Sequence, residues 1–197
     1  METVEIRKEL NMTYDELVNY LLVKYGHAKY DYFCNESCKT KNHKVSRTDE
    51  GLYCHHIDED KAIMLSNDKY APSNPFKYQK ADRLVYCNIF EHLMLHIKIV
   101  EEPKNKNANK DELQGIGGAI NLIIPQINDY YNGFEFKQPH LIKIFSLVEN
   151  NFDDYIEILK YFLNVIEEMP LYKLLISKER LSVGWDRQLI YKIYNEL

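Results

Sequence analysis

The stretch that most constrains this chain is residues 83–100, RLVYCNIFEHLMLHIKIV. RLVY (83–86) has the β-branched and aromatic make-up of a short strand. Asn88 then stands as the N-cap of a helix, with Glu91 at the third helical position as the other half of a capping box. Nearly every side chain of that helix is apolar except Glu91, His92, His96 and Lys98. His92 and His96 are four residues apart, so they lie one turn above another on a single face, near enough to share one metal ion. Taken alone, the pair also reads as two histidines tucked into an apolar helix, which is the commoner case. Two metalloprotease patterns fail at once. HExxH needs Glu after the first His, where the chain has Leu93, and HxxEH needs His at 88, where it has Asn88.

Upstream, TDEG (48–51) is turn chemistry leading into a strand, LYCHHI. Neighbours on a strand point to opposite faces, so His55 and His56 either waste one ring or do two different jobs. Strand, loop, strand and helix make a ββα arrangement. In it one strand histidine joins the two helix histidines around a divalent cation, leaving positions open for water and substrate, while the other strand histidine is free to act as a base. Four of the seven histidines fall into this one arrangement.

The segment YCHHIDE…DRLVYCNIFEHLMLH resembles the HNH (ββα-metal, His-Me finger) endonucleases, which include the nuclease domains of colicins and many small phage and bacterial proteins. The resemblance covers residues 47–100. It implies His55 as the strand metal ligand, His56 as the general base, and His92 and His96 as the helix ligands. The family's central Asn, which ties down the loop and orients the base, falls on Arg83. Arg can donate to loop carbonyls or hold a phosphate, but it cannot accept a hydrogen bond as Asn does. The loop between the His pair and the second strand is also longer than in compact members.

The implied chemistry is hydrolysis of a phosphodiester in DNA. Neutral His56, with an ordinary pKa near about 6.5, takes the proton of water. One divalent cation (Mg, Mn, Ni or Zn) stabilises the developing charge. Asp58 or Glu59 reads either as an acid orienting a histidine or, more commonly, as solvated charge after a strand. The rival reading is a catalytically silent HNH-like module that binds nucleic acid or a partner protein, for which Arg83 in place of Asn is the argument. RNA cleavage by the same site, or a structural zinc protein, stand behind these two.

Around this centre the chain divides into an N-terminal helix and basic loop (1–46), the ββα module (47–100), a charged linker (101–112) and a helical C-terminal region (113–197). The expected class is α+β, mostly helical. Thr13 and Glu16 form a capping box for a helix over 13–25 that Gly26 ends. Lys39, Lys41, Lys44 and Arg47 follow with no intervening acid, a phosphate-facing patch or a solvated loop. The connection over 58–80 carries Pro72 and Pro75 and is long enough to suggest function.

GIGG (115–118) lacks the strand and the Lys-Ser/Thr of a phosphate loop, and reads instead as a close approach of helices or a helix start. Helical stretches are expected at 115–131, 140–169 and 177–197. The last gathers Lys178, Arg180, Arg187 and Lys192 around Trp185, as a DNA-contacting helix or, more simply, ordinary surface charge.

A net charge of −5 does not announce a nucleic-acid binder, although a bound cation would change the local sign. The 16 tyrosines read first as AT-rich coding bias and second as base-stacking surface. METVEIRKEL lacks the apolar core of a signal peptide, and no stretch reaches transmembrane length. The expectation is a cytoplasmic protein without membrane partners, its Cys34, Cys38, Cys54 and Cys87 reduced. A structural zinc on Cys34/Cys38 has C-x3-C spacing in its favour, but the later pair is irregular, so free thiols are expected.

Overall fold

A computed structural model describes residues 3–102, 114–169 and 176–197. The chain opens with a short helix that the sequence reading did not anticipate, α1 (Thr3–Leu10), and then α2 (Tyr14–Tyr25). Both arms of the Thr13–Glu16 capping box are made, and Gly26 closes α2 with φ +79°. Residues 26–52 run as turns and isolated bridges, including Phe33↔Lys41.

Strand β1 (Tyr53–His56) pairs antiparallel with β2 (Leu84–Cys87), with His55 opposite Val85 and His56 opposite Leu84. The long connection between them is a series of single 3-10 turns, of which Ile57–Asp60 follows β1 directly and Ala81–Arg83 leads into β2.

Helix α3 (Ile89–Glu101) starts where its cap predicts. Asn88 Oδ1 accepts from the Phe90 and Glu91 amides at 2.9 and 3.0 Å, and the Asn88 amide donates to Glu91 Oε2 at 2.6 Å. A helix apolar on nearly all sides has to be covered on all sides, and α3 is. Phe90, Leu93, Met94, Leu95, Ile97, Ile99 and Val100 are all fully buried. The polar exceptions need partners inside the protein. Lys98 is 4% exposed and donates to Leu10 O, Glu101 and Tyr161, joining α3 to the end of α1 and to the later helix that carries Tyr161.

After residue 114 a helical turn (Ile116–Gly118) and a π turn (Ala119–Ile123) run into α4 (Ile124–Tyr131). The expected 140–169 helix is two, α5 (Pro139–Ser146) and α6 (Phe152–Glu167). The 177–197 stretch is also not one helix. It comprises α7 (Lys178–Leu181), a tight turn closed by the bridge Val183↔Leu189 with Trp185 half-exposed, and α8 (Tyr191–Glu196). The expected linker at 101–112 lies almost entirely outside the described residues.

The main apolar core runs from Ile6 in α1 through α3 to Ile193 in α8, so the first and last helices share one interior. The protein is α+β, helix-rich, with a two-stranded antiparallel sheet. Among the described residues no helix is long and apolar enough to cross a membrane.

Candidate metal centre

The alternation of β1 separates the two neighbouring histidines as expected. His55 faces α3, where its ring centroid lies 5.4 Å from His92 and 5.3 Å from His96. The two helix rings are 5.0 Å apart. One ring nitrogen from each of the three histidines lies within 4.8 Å of the others, and no other such group of His, Cys, Asp or Glu occurs among the described residues. His55 and His96 are buried, and His92 keeps a partial opening to solvent under the stacked ring of Tyr53.

Hydrogen bonding decides which nitrogens are free. The Tyr14 hydroxyl has one proton, and Ile57 O, 2.8 Å away, can only accept it. His55 Nε2, 3.1 Å from the same oxygen, must therefore carry its own proton and donate. That leaves His55 Nδ1 bare, buried and without a hydrogen-bond partner. His96 Nδ1 donates to Gly115 O at 3.0 Å, so its Nε2 is bare. A carbonyl or hydroxyl fixing the far nitrogen is how metal-binding histidines are commonly oriented. Burial, aided by the neighbouring imidazoles, holds His55 and His92 well below the ordinary histidine range. Burial also lowers His96 to about 4. All three are thus neutral at pH 7, the form that offers a lone pair.

The glycines at 115–118 serve this cluster. Gly115, at φ +79°, brings its carbonyl to His96, and an added Cβ there would meet His96 O at 2.7 Å. Gly118 lies against the His96 ring itself, with room only for hydrogen. Close approach and helix start, the two readings of GIGG, are both realised, at one imidazole.

His56 faces away from the cluster. The Gln79 amide donates to Leu65 O at 3.0 Å, so its Oε1 accepts from His56 Nε2 at 2.8 Å. His56 Nδ1 is left bare and buried. The ring is 1% exposed, lies 4.4 Å from the Tyr32 ring, and has its pKa lowered to about 4 by burial.

Glu59 reaches in between. The 3-10 turn after β1 curls its side chain back, putting Oε2 3.7 Å from His55 Nδ1 and 3.5 Å from His96 Nε2, with Oε1 3.9 Å from His56 Nδ1. Burial pushes this carboxyl up to about 8. The common reading of Glu59 as solvated charge is corrected: only 15% of its side chain is exposed. Gln79 carried no signal in the sequence.

Arg83 is not at the cluster. It forms two 2.7 Å bonds to the buried Asp58 carboxylate, clamping the turn after β1 to the residue before β2. Lys61 shares Asp58 at 2.7 Å.

The basic segment splits in two. Arg47 is engaged with Glu50 and Tyr25 O, whereas Lys39, Lys41 and Lys44 are exposed. Lys41 Nζ sits 3.3 Å from the Tyr32 hydroxyl, on the side of His56, and Lys44 lies over the Tyr30 ring. The cysteines are all free thiols, Cys34 exposed and Cys38 buried. They converge on no common point with a third ligand among the described residues, so the Cys34/Cys38 zinc finds no donor set here. No protein-family model, curated protein or solved structure matches the chain.

Proposed function

We propose that this protein is a metal-dependent HNH-type endonuclease acting on DNA. The observation that carries the reading is the division of labour on β1. His55 joins His92 and His96 in a cluster of neutral imidazoles, while His56, its immediate neighbour, presents a bare Nδ1 on the other face.

His55, His92 and His96 hold one divalent cation, Mg, Mn, Ni or Zn. When bound, it supplies positive charge for the oxygens of a phosphodiester. The donor set fits such an ion, since two of the three nitrogens have their far side hydrogen-bonded and their near side bare. His56, held through Nε2–H by Gln79, accepts at Nδ1 the proton of a water whose oxygen bonds to phosphorus. The ester P–O bond breaks, and the leaving oxygen is protonated from solvent. Lys41 and Lys44 offer cations for neighbouring phosphates. Arg83 acts through Asp58 as a positioning residue for the turn that carries Glu59.

A second reading, a silent module that binds DNA, RNA or a partner protein, is favoured by the burial of His56 under Tyr32. Plasmid cleavage by metal-stripped protein, with each metal added back, separates the two. Metal-dependent nicking lost in both His56→Ala and His92→Ala supports the nuclease. Folded, metal-binding protein that nicks nothing in any metal supports the silent module.

A further inference from the structure

We infer that Glu59 is the fourth protein ligand of this cation through Oε2, with its other oxygen facing His56. The inference rests on the metal-centre reading above and extends it.

Three observations carry it. First, both facing nitrogens are acceptors. His55 Nδ1 is bare because Nε2 donates to Tyr14, and His96 Nε2 is bare because Nδ1 donates to Gly115 O. No hydrogen bond reaches either Glu59 oxygen from a described residue, yet Oε2 points at both nitrogens. Facing lone pairs with little water between them repel unless a positive centre, a proton or an ion, stands between them. Second, the spacing suits an ion better than a proton. An O–H···N bond brings the heavy atoms to about 2.8 Å. Two donors on a shared tetrahedral ion at about 2.0–2.1 Å stand about 3.4 Å apart. The observed separations are 3.5 and 3.7 Å. Third, the carboxylate divides its oxygens, Oε2 toward His55 and His96, Oε1 toward His56 Nδ1 at 3.9 Å.

The consequence is a three-histidine, one-carboxylate site. Its net charge with a divalent ion is +1 rather than +2, and its three imidazoles suit Zn or another first-row ion better than Mg.

The test is metal binding, read without reference to cleavage. Metal-stripped wild type, Glu59→Gln, Glu59→Asp and His92→Ala are titrated with Zn by calorimetry and with Co(II) by its visible d–d bands, whose intensity separates four- from six-coordinate ions. Circular dichroism checks that each variant is folded. The expected result is one ion per chain with intense bands in wild type. Glu59→Gln should bind more than about 100-fold weaker, beyond the 10- to 100-fold typical of a residue that only orients a ligand, and with altered bands. Glu59→Asp should recover part of the loss. Wild-type affinity and bands in Glu59→Gln, alongside lost binding in His92→Ala, would overturn the role of Glu59 and leave the three-histidine site standing. No stoichiometric ion in wild type would overturn both.

Discussion

Gly118 lies flat against the imidazole of His96: a methyl group on its Cα would fall 2.7 Å from His96 Nδ1 and closer still to the neighbouring ring carbon. Gly118 itself has helical dihedrals, φ −63° and ψ −47°. Glycine in a helix is ordinarily worse than alanine by about 0.5–1 kcal/mol, so Gly118→Ala tests the contact by its sign. The variant should melt lower than wild type and bind metal at least about 10-fold more weakly, as displaced ligand supports do. A higher melting temperature with unchanged affinity would show that His96 has room to spare.

Chelation and reloading should move stability as well as activity. His55 Nδ1 is buried without a hydrogen-bond partner in the folded protein, whereas the unfolded chain hydrates it. Adding Zn to stripped protein at about 100 times its Kd should contribute about 2.7 kcal/mol. Thermal melts across a Zn series check this, and His96→Ala should flatten the response.

Arg83 tests a different link. Its partner Asp58 is 2% exposed, so losing Arg83 leaves a buried carboxylate with Lys61 alone. Removing one partner of a fully buried pair costs about 3–5 kcal/mol. Arg83 is 35% exposed and Lys61 remains, so we expect about 1–2 kcal/mol in urea unfolding of Arg83→Ala, discounted for solvent screening. Cleavage lost with stability intact would instead put Arg83 on the substrate.

The basic segment should separate by engagement. Lys41→Ala with Lys44→Ala should weaken DNA binding and lower the salt slope by about 0.7–0.9 per lysine. Arg47→Ala should leave that slope alone and lower stability, since its guanidinium is held by Glu50 and Tyr25 O. Fluorescence anisotropy over a salt series distinguishes the two variants.

A pH effect is expected away from the metal. Burial first, and the Glu91 carboxylate second, raise Glu9 from 4.5 to about 8. Between those values the unfolded chain has released a proton that the folded chain still holds. The contribution is therefore complete below pH 4.5 and falls as pH rises toward 8, by at most about 1.4 kcal/mol per pH unit. Glu9→Gln should gain on wild type steadily across that window in paired melts. A difference independent of pH would mean that Glu9 ionises normally.

How much of this was legible follows range along the chain. The capping boxes at Thr13 and Asn88 announced α2 and α3, because a cap is satisfied within three residues. The split of His55 from His56 was legible because strand alternation is local. Glu59 was harder: four residues beyond His55, it comes back to the cluster only because β1 gives way to a 3-10 turn, a change of period with no apolar pattern to mark it. Arg83 was placed by its alignment with a family Asn, but the carboxylate it clamps lies 25 residues away. The division of 140–169 at residues 147–151 was hidden because apolar spacing continues across it.

His96 depends for its proton on a carbonyl 19 residues further on. While the chain is being synthesised, that histidine is finished before Gly115 exists, and its two nitrogens are then interchangeable. Only when Gly115 docks does one tautomer win, and with it the nitrogen left bare toward Glu59. The site is therefore chemically undecided until the segment carrying Gly115 packs against α3, and an ion held tightly there reports that this contact has formed.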